Sequence, residues 1–472
     1  YTFAAMIDSI VKIGTPMRDV LEAIGHEPAG IAFFNSEDDV LAGILTDGDV
    51  RRLFLKGIQL DYKVTAAHLG DFVSAREGED IENLLKKINK LIRIVPILND
   101  EGQLVDYFRY EHKTKFIPVA EPSLKGNELK YVTDAVLSTW ISSRGEYINR
   151  FEAEFAEYCG VEYGVAVSNG TVAIQLALKA KEIGPGDEVI VPDFTFAATI
   201  NSVIHCGATP VIVDVLKETW CMDPAAVAKA ITPNTKAIIP VHIYGQACDM
   251  EAIMELASAN DLFVLEDAAE AHGARYNGKR VGGLGHAATF SFFGNKIITC
   301  GEGGMVTTND AALNDRMRVL RDHGMSKEKR YWHDHVGFNF RMTNLQAAIG
   351  CAQLEKIEDI RKWRSELEEA YKKVFSGYDI KFQSTAANTE RAIWLISALM
   401  PSAEKRDSLI QHFRNHNVDL RPFFYPLSDM PIYQEYASHS EVASEISMVG
   451  VSLPTVEGMD MEEFKSILDS WK

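Results

Sequence analysis

The sequence predicts an α/β fold: a mostly parallel sheet flanked by helices, a smaller C-terminal α/β domain, and a separate α+β unit in front. Three observations predict it. From about residue 116, short Val/Ile-rich runs alternate with amphipathic stretches; before 115 the pattern is a different, repeated one; from about 345 the chain becomes helix-rich. These breaks place the units at 1–115, 116–345 and 346–472, which suits a 472-residue chain, too long for one typical domain.

Residues 1–115 read as two similar halves. PMRDVLEAI (16–24) has helical spacing, AGIAFFN (29–35) is an apolar strand, SEDD turns, and LAGILTDGDVRRLFLKG (41–57) is a second strand running into a helix. In the second half EDIENLLKKINK (79–90) precedes IRIVPILND (92–100), the turn EGQ and LVDYFRYEH (104–112). A short linker (113–126) follows. The apolar runs YGVAVSN, DEVIVP, TPVIVDV, TKAIIPVH, LFVLED and AATFSFF then alternate with helices such as TVAIQLALKAKEI (171–183) and DMEAIMELASAN (249–260). Near-continuous Val/Ile strands between helices argue a sheet covered on both faces.

Composition excludes several classes. A net charge of −19 argues against a nucleic-acid partner. No apolar run approaches the roughly 20 residues of a membrane span, and YTFAAMIDSIVKIG lacks a signal-peptide layout, so the expected location is the cytoplasm. Cys159, Cys206, Cys221, Cys248, Cys300 and Cys351 form no CxxC pair; they read as reduced core thiols, and no metal site is expected. No G-x-G-x-x-G follows an early strand, against a dinucleotide oxidoreductase.

In open α/β sheets ligands sit beyond the carboxyl ends of the strands, and three strand ends carry chemistry. SNGTVAIQLAL (168–178) passes from strand to helix at Ser-Asn-Gly-Thr. Gly170 would allow close approach and Thr171 supplies a hydroxyl, making either an anion seat or a plain N-cap. VLEDAAEAHG (264–273) puts Glu266 and Asp267 after an apolar strand. A buried Asp267 needs a cation, or else it is a helix-start acid on the dipole. ATFSFFGNKIITCGEGGMV (288–306) places Lys296 between a hydrophobic strand and a Gly-rich turn, with Ser291 five residues earlier. An amine held in a dry pocket loses basicity and can attack an aldehyde; otherwise it is one more solvated lysine.

In order and spacing these elements resemble the fold-type I pyridoxal-phosphate (PLP) aminotransferases. The stretch from about 116 to 472 resembles, more narrowly, the DegT/StrS sugar aminotransferases. The resemblance is carried by STWISSRGEYINRFE (138–152), VPDFTFAAT (191–199), PVHIYGQACDM (240–250), EDAAEAHG (266–273), SFFGNK (291–296), GEGGMV (301–306) and GFNFRMTNLQAAIG (337–350). It implies that Lys296 carries the cofactor covalently and moves the proton, that Asp267 pairs with the ring nitrogen, and that Phe196 stacks on the ring. Gly170, Thr171 and Ser291 would hold the phosphate, with Asn339 of the partner subunit completing the seat in a homodimer with shared active sites. Glu270 stands where many members carry Gln and would lie near the ring's 3′ oxygen. Relatives that remove a hydroxyl instead have His at the lysine position, so Lys296 implies transamination.

Within that family the resemblance is to the perosamine-forming branch, whose members, abundant in O-antigen biosynthesis, aminate C4 of GDP-4-keto-6-deoxymannose with L-glutamate. A UDP-4-keto-6-deoxy-hexosamine is the alternative acceptor. Trp140, Ser142, Arg144, His323 and Tyr425 are the candidate substrate contacts; each could equally be a packing residue. Residues 1–115 resemble a pair of cystathionine-β-synthase-type (CBS) domains with a degenerate second half. That implies at most one adenine-nucleotide site, at Thr46 and Asp49. The alternative of another class is a non-catalytic, nucleotide-sensing regulator on an aminotransferase scaffold.

Overall fold

The computed structural model describes residues 9–26, 30–70, 72–79, 83, 84, 87, 92, 94–109, 116–437 and 440–471, and the chain divides into two units, Tyr1–Lys115 and Phe116–Lys472. In the first unit, β1 (Ile10–Lys12), β2 (Ile31–Asn35) and β3 (Leu41–Thr46) form one sheet, and β4 (Ala75–Arg76), β5 (Ile94–Leu98) and β6 (Leu104–Arg109) another. In each, the first two strands are parallel and the last two form an antiparallel hairpin, irregular between Phe34 and Asn35 and between Ile97 and Leu98. Ile31, Leu41 and Thr46 of one hairpin stand where Ile94, Leu104 and Arg109 stand in the other, so the internal repeat extends to strand register.

Every residue of β2 is buried because both of its faces are covered. Ala32 and Phe34 pack with Met17, Val20 and Val50 of the flanking helices, while Ile31 and Phe33 pack with Leu41 and Leu104. The period-2 alternation of a strand delivers successive side chains to the two cores. The helix expected over 79–90 lies largely outside the described residues.

The second unit is built on seven strands: β7 (Tyr163–Val167), β8 (Glu188–Pro192), β9 (Thr209–Val213), β10 (Thr235–Ile238), β11 (Phe263–Asp267), β14 (Ala287–Ser291) and β15 (Gly304–Thr308). They are ordered β7-β15-β14-β11-β10-β8-β9. β15 runs antiparallel to both its neighbours; all other pairings are parallel. Alternate residues again serve two cores: Ile190, Ile238, Val264 and Phe290 on one face, Val189, Val191, Ala237 and Leu265 on the other. A small hairpin, β12 (Arg275–Tyr276) and β13 (Lys279–Arg280), pairs with β17 (Thr389–Glu390).

Toward the C-terminus, β16 (Lys381–Phe382), β18 (Ile396–Leu399), β19 (Arg421–Pro422) and β20 (Gly450–Leu453) form an antiparallel sheet. Helices Ile357–Val374, Ala403–Asn415 and Met461–Asp469 pack on it through Leu367, Tyr371, Phe413 and Phe464. Helix Asn344–Leu354 instead packs against helix Glu146–Cys159, where a side chain on Gly350 would collide with Phe151 and the Cys300 Sγ, each at 2.8 Å. All six cysteines are buried and free of disulfides. Among the described residues no helix is long and apolar enough to cross a membrane, and no cluster of His, Cys, Asp and Glu could hold a metal ion.

Candidate active site

The carboxyl ends of β7, β8, β11 and β14 open onto one cavity of about 830 Å³. Gly170, Thr171, Phe196, Asp267, Glu270, Ser291 and Lys296 all line it. Local sequence puts them there. β7 ends at Val167, and Asn169 caps the helix Gly170–Ala180 by accepting from the Val172 amide at 3.0 Å. The Ala173 amide bonds the Asn169 carbonyl, which leaves the Gly170 and Thr171 amides at the cavity wall for an anion. Only glycine fits at 170, since an added Cβ would lie 2.7 Å from that of Ser291.

Asp267 is the last residue of β11 and only 5% exposed. Its Oδ2 accepts from the Thr199 hydroxyl at 2.7 Å and its Oδ1 from the Ala269 amide at 3.2 Å, but it makes no salt bridge among the described residues. Burial pushes its pKa up, opposed by the Thr199 hydroxyl, the Ala269 amide and the charge of Lys296. Burying a carboxylate without a paired cation costs several kcal/mol, so this position favours a cationic ligand group.

Lys296 lies on the loop after β14, its Nζ 3.6 Å from Glu270 Oε1. Burial draws the amine below its ordinary value, with Glu270 and Asp267 pulling the other way. Glu270 is pushed up to about 7, first by burial, and Lys296 and the Tyr244 amide (2.9 Å from Oε2) work against that. His272, buried among Phe155, Phe290 and Phe292, is pushed down to about 3 by burial and then by Lys296, and is therefore neutral. Beside it, Glu266 bonds His242 at 3.0 Å and accepts the amides of Gly282, Leu284 and Gly285, a saturated set that braces the end of β11. A free amine next to a buried carboxylate, with helix-start amides beyond, fits a phosphorylated aldehyde with a basic ring nitrogen.

The remaining candidates lie apart from this cavity. Trp140, Ser142 and Arg144 are exposed on a loop shaped by Asn344, whose Nδ2 donates to the Trp140 carbonyl and whose amide donates to that of Ser142. His323 pairs with Asp322 at 3.0 Å, and Tyr425 is exposed. Asn339 is exposed and bonds Arg341 at 3.1 Å. In the first unit, Thr46 and Asp49 are spent on each other. Thr46 caps helix Asp47–Leu55, its amide and hydroxyl donate to Asp49 Oδ2 at 2.9 and 2.6 Å, and Asp49 also binds Arg52. The Thr-x-x-Asp spacing signals such a capping box.

Several cavity residues were not evident from the sequence: Thr199, Tyr244, Trp394, Phe424 and Arg421. Among the described residues Arg421, its Nε held by Asp419 at 3.0 Å, is the one arginine in the lining.

Comparison with known proteins identifies the family. Residues 122–472 match the model of the DegT/DnrJ/EryC1/StrS aminotransferase family. The GDP-perosamine synthase of Escherichia coli O157:H7 is 46% identical over 356 residues, 75% of this chain and 98% of that protein. That of Caulobacter vibrioides is also 46% identical, over 75% of this chain and 96% of its own. Among solved structures, S. venezuelae DesV superposes with a TM-score of 0.69 at 35% identity, covering 73% of this chain and 94% of its own. The PLP form of a putative sugar aminotransferase from Streptococcus pneumoniae gives 0.70 at 26% identity, covering 76% and 100%. The chain belongs to the DegT/DnrJ/EryC1/StrS family and is a PLP-dependent aminotransferase.

Proposed function

We propose that this enzyme moves an amino group from L-glutamate to C4 of GDP-4-keto-6-deoxymannose, forming GDP-perosamine. The observation that carries the reading is the likeness to GDP-perosamine synthases of three organisms, at 43% to 46% identity over three quarters of the chain. PLP supplies an aldehyde and an electron-withdrawing ring, through which amino group and ketone exchange. Lys296 anchors it between turnovers and, with its amine free, carries the proton to and from the reacting carbon at Nζ. Asp267 keeps the ring nitrogen protonated, the partner its burial demands. Gly170, Thr171 and Ser291 hold the phosphate and Phe196, 59% exposed at the mouth, stacks on the ring. Glu270, protonated in part near neutrality, can face the 3′ oxygen without repelling it. Arg421, in the lining of the same cavity, offers a cation to the donor's carboxylate.

Asn339 of the partner subunit completes the phosphate seat in a homodimer. Two features support this: Asn339 stands outside its own chain's cavity, and Leu129, Val136, Leu137, Trp140 and Ile141 leave an apolar surface exposed. Trp140, Ser142, Arg144, His323 and Tyr425, which lie apart from their own chain's cavity, then serve the substrate of the shared sites. The test is an assay of purified enzyme with glutamate and either GDP- or UDP-linked 4-keto-6-deoxy sugars, the product identified by mass. The reading requires the GDP sugar to be preferred; preference for the UDP-hexosamine replaces the acceptor, and no amination of either overturns it.

A further inference from the structure

Lys296 is gripped from a side that its own motif does not contain. Its Nζ lies 3.8 Å from the centroid of the Trp394 ring. The same indole donates its N–H to the carbonyl of Asn295, the residue before Lys296, at 2.8 Å. Trp394 therefore touches both the amine and the backbone that carries it.

The indole is itself held. It is 4% exposed and stacks on Tyr244 at 5.8 Å and 15°. The Arg364 guanidinium, buried on helix Ile357–Val374, donates to the Trp394 carbonyl. Tyr244 has a left-handed backbone, φ 51°, which turns its amide onto Glu270 Oε2. Gly245 follows with φ 91°; an added Cβ there would sit 1.8 Å from the Ala392 carbonyl oxygen, so only glycine lets the two segments meet. That meeting, sealed by the Ala392 amide on the Gly245 carbonyl at 3.0 Å, lays Trp394 against Tyr244. Left-handed backbone at a non-glycine residue costs of order 1 kcal/mol and marks an over-determined position.

We propose that Trp394 is a positioning residue for Lys296, its ring face holding the amine opposite Glu270 and its N–H fixing the loop at Asn295. The inference rests on Lys296 being the reactive lysine. Without such a grip a freed amine on a flexible stem would swing among rotamers each time it left the cofactor; with it, the amine stays within reach of the reacting carbon. An aromatic face also favours the ammonium form. Glu270 and Asp267 act in the same sense, and His272, being neutral, adds no charge.

The test compares Trp394→Phe and Trp394→Leu in apoenzyme. Two quantities are read: the pH midpoint at which Lys296 reacts with a small amine reagent, by peptide mass analysis, and the rate at which added PLP is captured, by absorbance. Phe keeps a ring face and loses the N–H, so capture slows about tenfold while the midpoint stays. Leu loses both: the midpoint falls by about one pH unit, and capture, compared above the midpoints so that the amine is free in each protein, slows further. Native capture by the Phe variant overturns the inference, as does a native midpoint in a folded Leu variant; if Leu does not fold, Phe alone decides. Lys296→Ala separates the two assignments. If that variant captures PLP as the native apoenzyme does, the Lys296 reading has failed, whereas native behaviour confined to the Trp394 variants removes only the grip.

Discussion

Two acidic residues were picked from the sequence: Asp267, the last residue of its strand, and Asp49, in the first turn of the helix that follows a strand. Asp49 has a full set of partners within its own helix start: the Thr46 amide, the Thr46 hydroxyl and Arg52. Burial would raise its pKa, but those donors hold it below the usual carboxylate range. Asp267 has one hydroxyl and one amide, is buried, and is pushed the opposite way. A carboxylate whose needs are met locally is architecture; one buried short of a cation is waiting for a ligand. The same contrast separates the two units. In the first, the marked side chains close on themselves; in the second, Asp267, Lys296 and the Gly170 helix start leave valences open toward one cavity.

The contrast can be broken by substitution. Lys296→Ala should lower turnover by on the order of 10³-fold or more, since covalent anchor and proton carrier are lost together, with circular dichroism unchanged. Asp267→Asn should lower kcat by about 10²-fold, because the ring nitrogen loses its charge partner. The melting temperature of the apoprotein should hold or rise, because an unpaired buried carboxylate has been removed. Asp49→Asn should do the reverse, costing stability and sparing turnover. Loss of activity in Asp49→Asn, or of stability in Asp267→Asn, would undo the comparison.

Glu270 sharpens it through pH. Its pKa rises from 4.5 to about 7 on folding. The folded state therefore holds a proton that the unfolded state releases, and this contribution to stability is present below 4.5 and lost as pH rises toward 7. Melting temperatures of apoprotein and Glu270→Gln across that window should converge at the acid end and favour Gln at the neutral end; parallel curves would contradict the account. The smallest effect belongs to Thr46→Ala, about 1 kcal/mol from the lost cap, measured by urea unfolding, with calorimetry against AMP and ATP showing no heat. Heat from the native protein that Thr46→Ala abolishes would instead restore the nucleotide site.

The proposed catalytic residues were legible because each sits in a local motif at or just after a strand end. Seat, acid and lysine are each spelled within a few residues, and the alternating fold delivers strand ends to one place. Trp394 was not legible: in RAIWLIS it reads as one more core aromatic, and its meaning comes from a backbone crossing at Gly245 almost 150 residues away. Thr199 is hidden for a similar reason, being a helix residue that reaches Asp267 only in three dimensions. The Thr46–Asp49 pair shows the converse difficulty: a capping spacing carries the same letters as a ligand site, and the structure shows the pair bonded to each other.

The central claim is that Lys296 carries the cofactor. Reduction of the purified holoenzyme with borohydride, proteolysis and mass analysis tests it directly. The account predicts one pyridoxyl-modified peptide, with the added mass on Lys296; the mass on another lysine, or a holoenzyme that reduction leaves unlabelled, contradicts it.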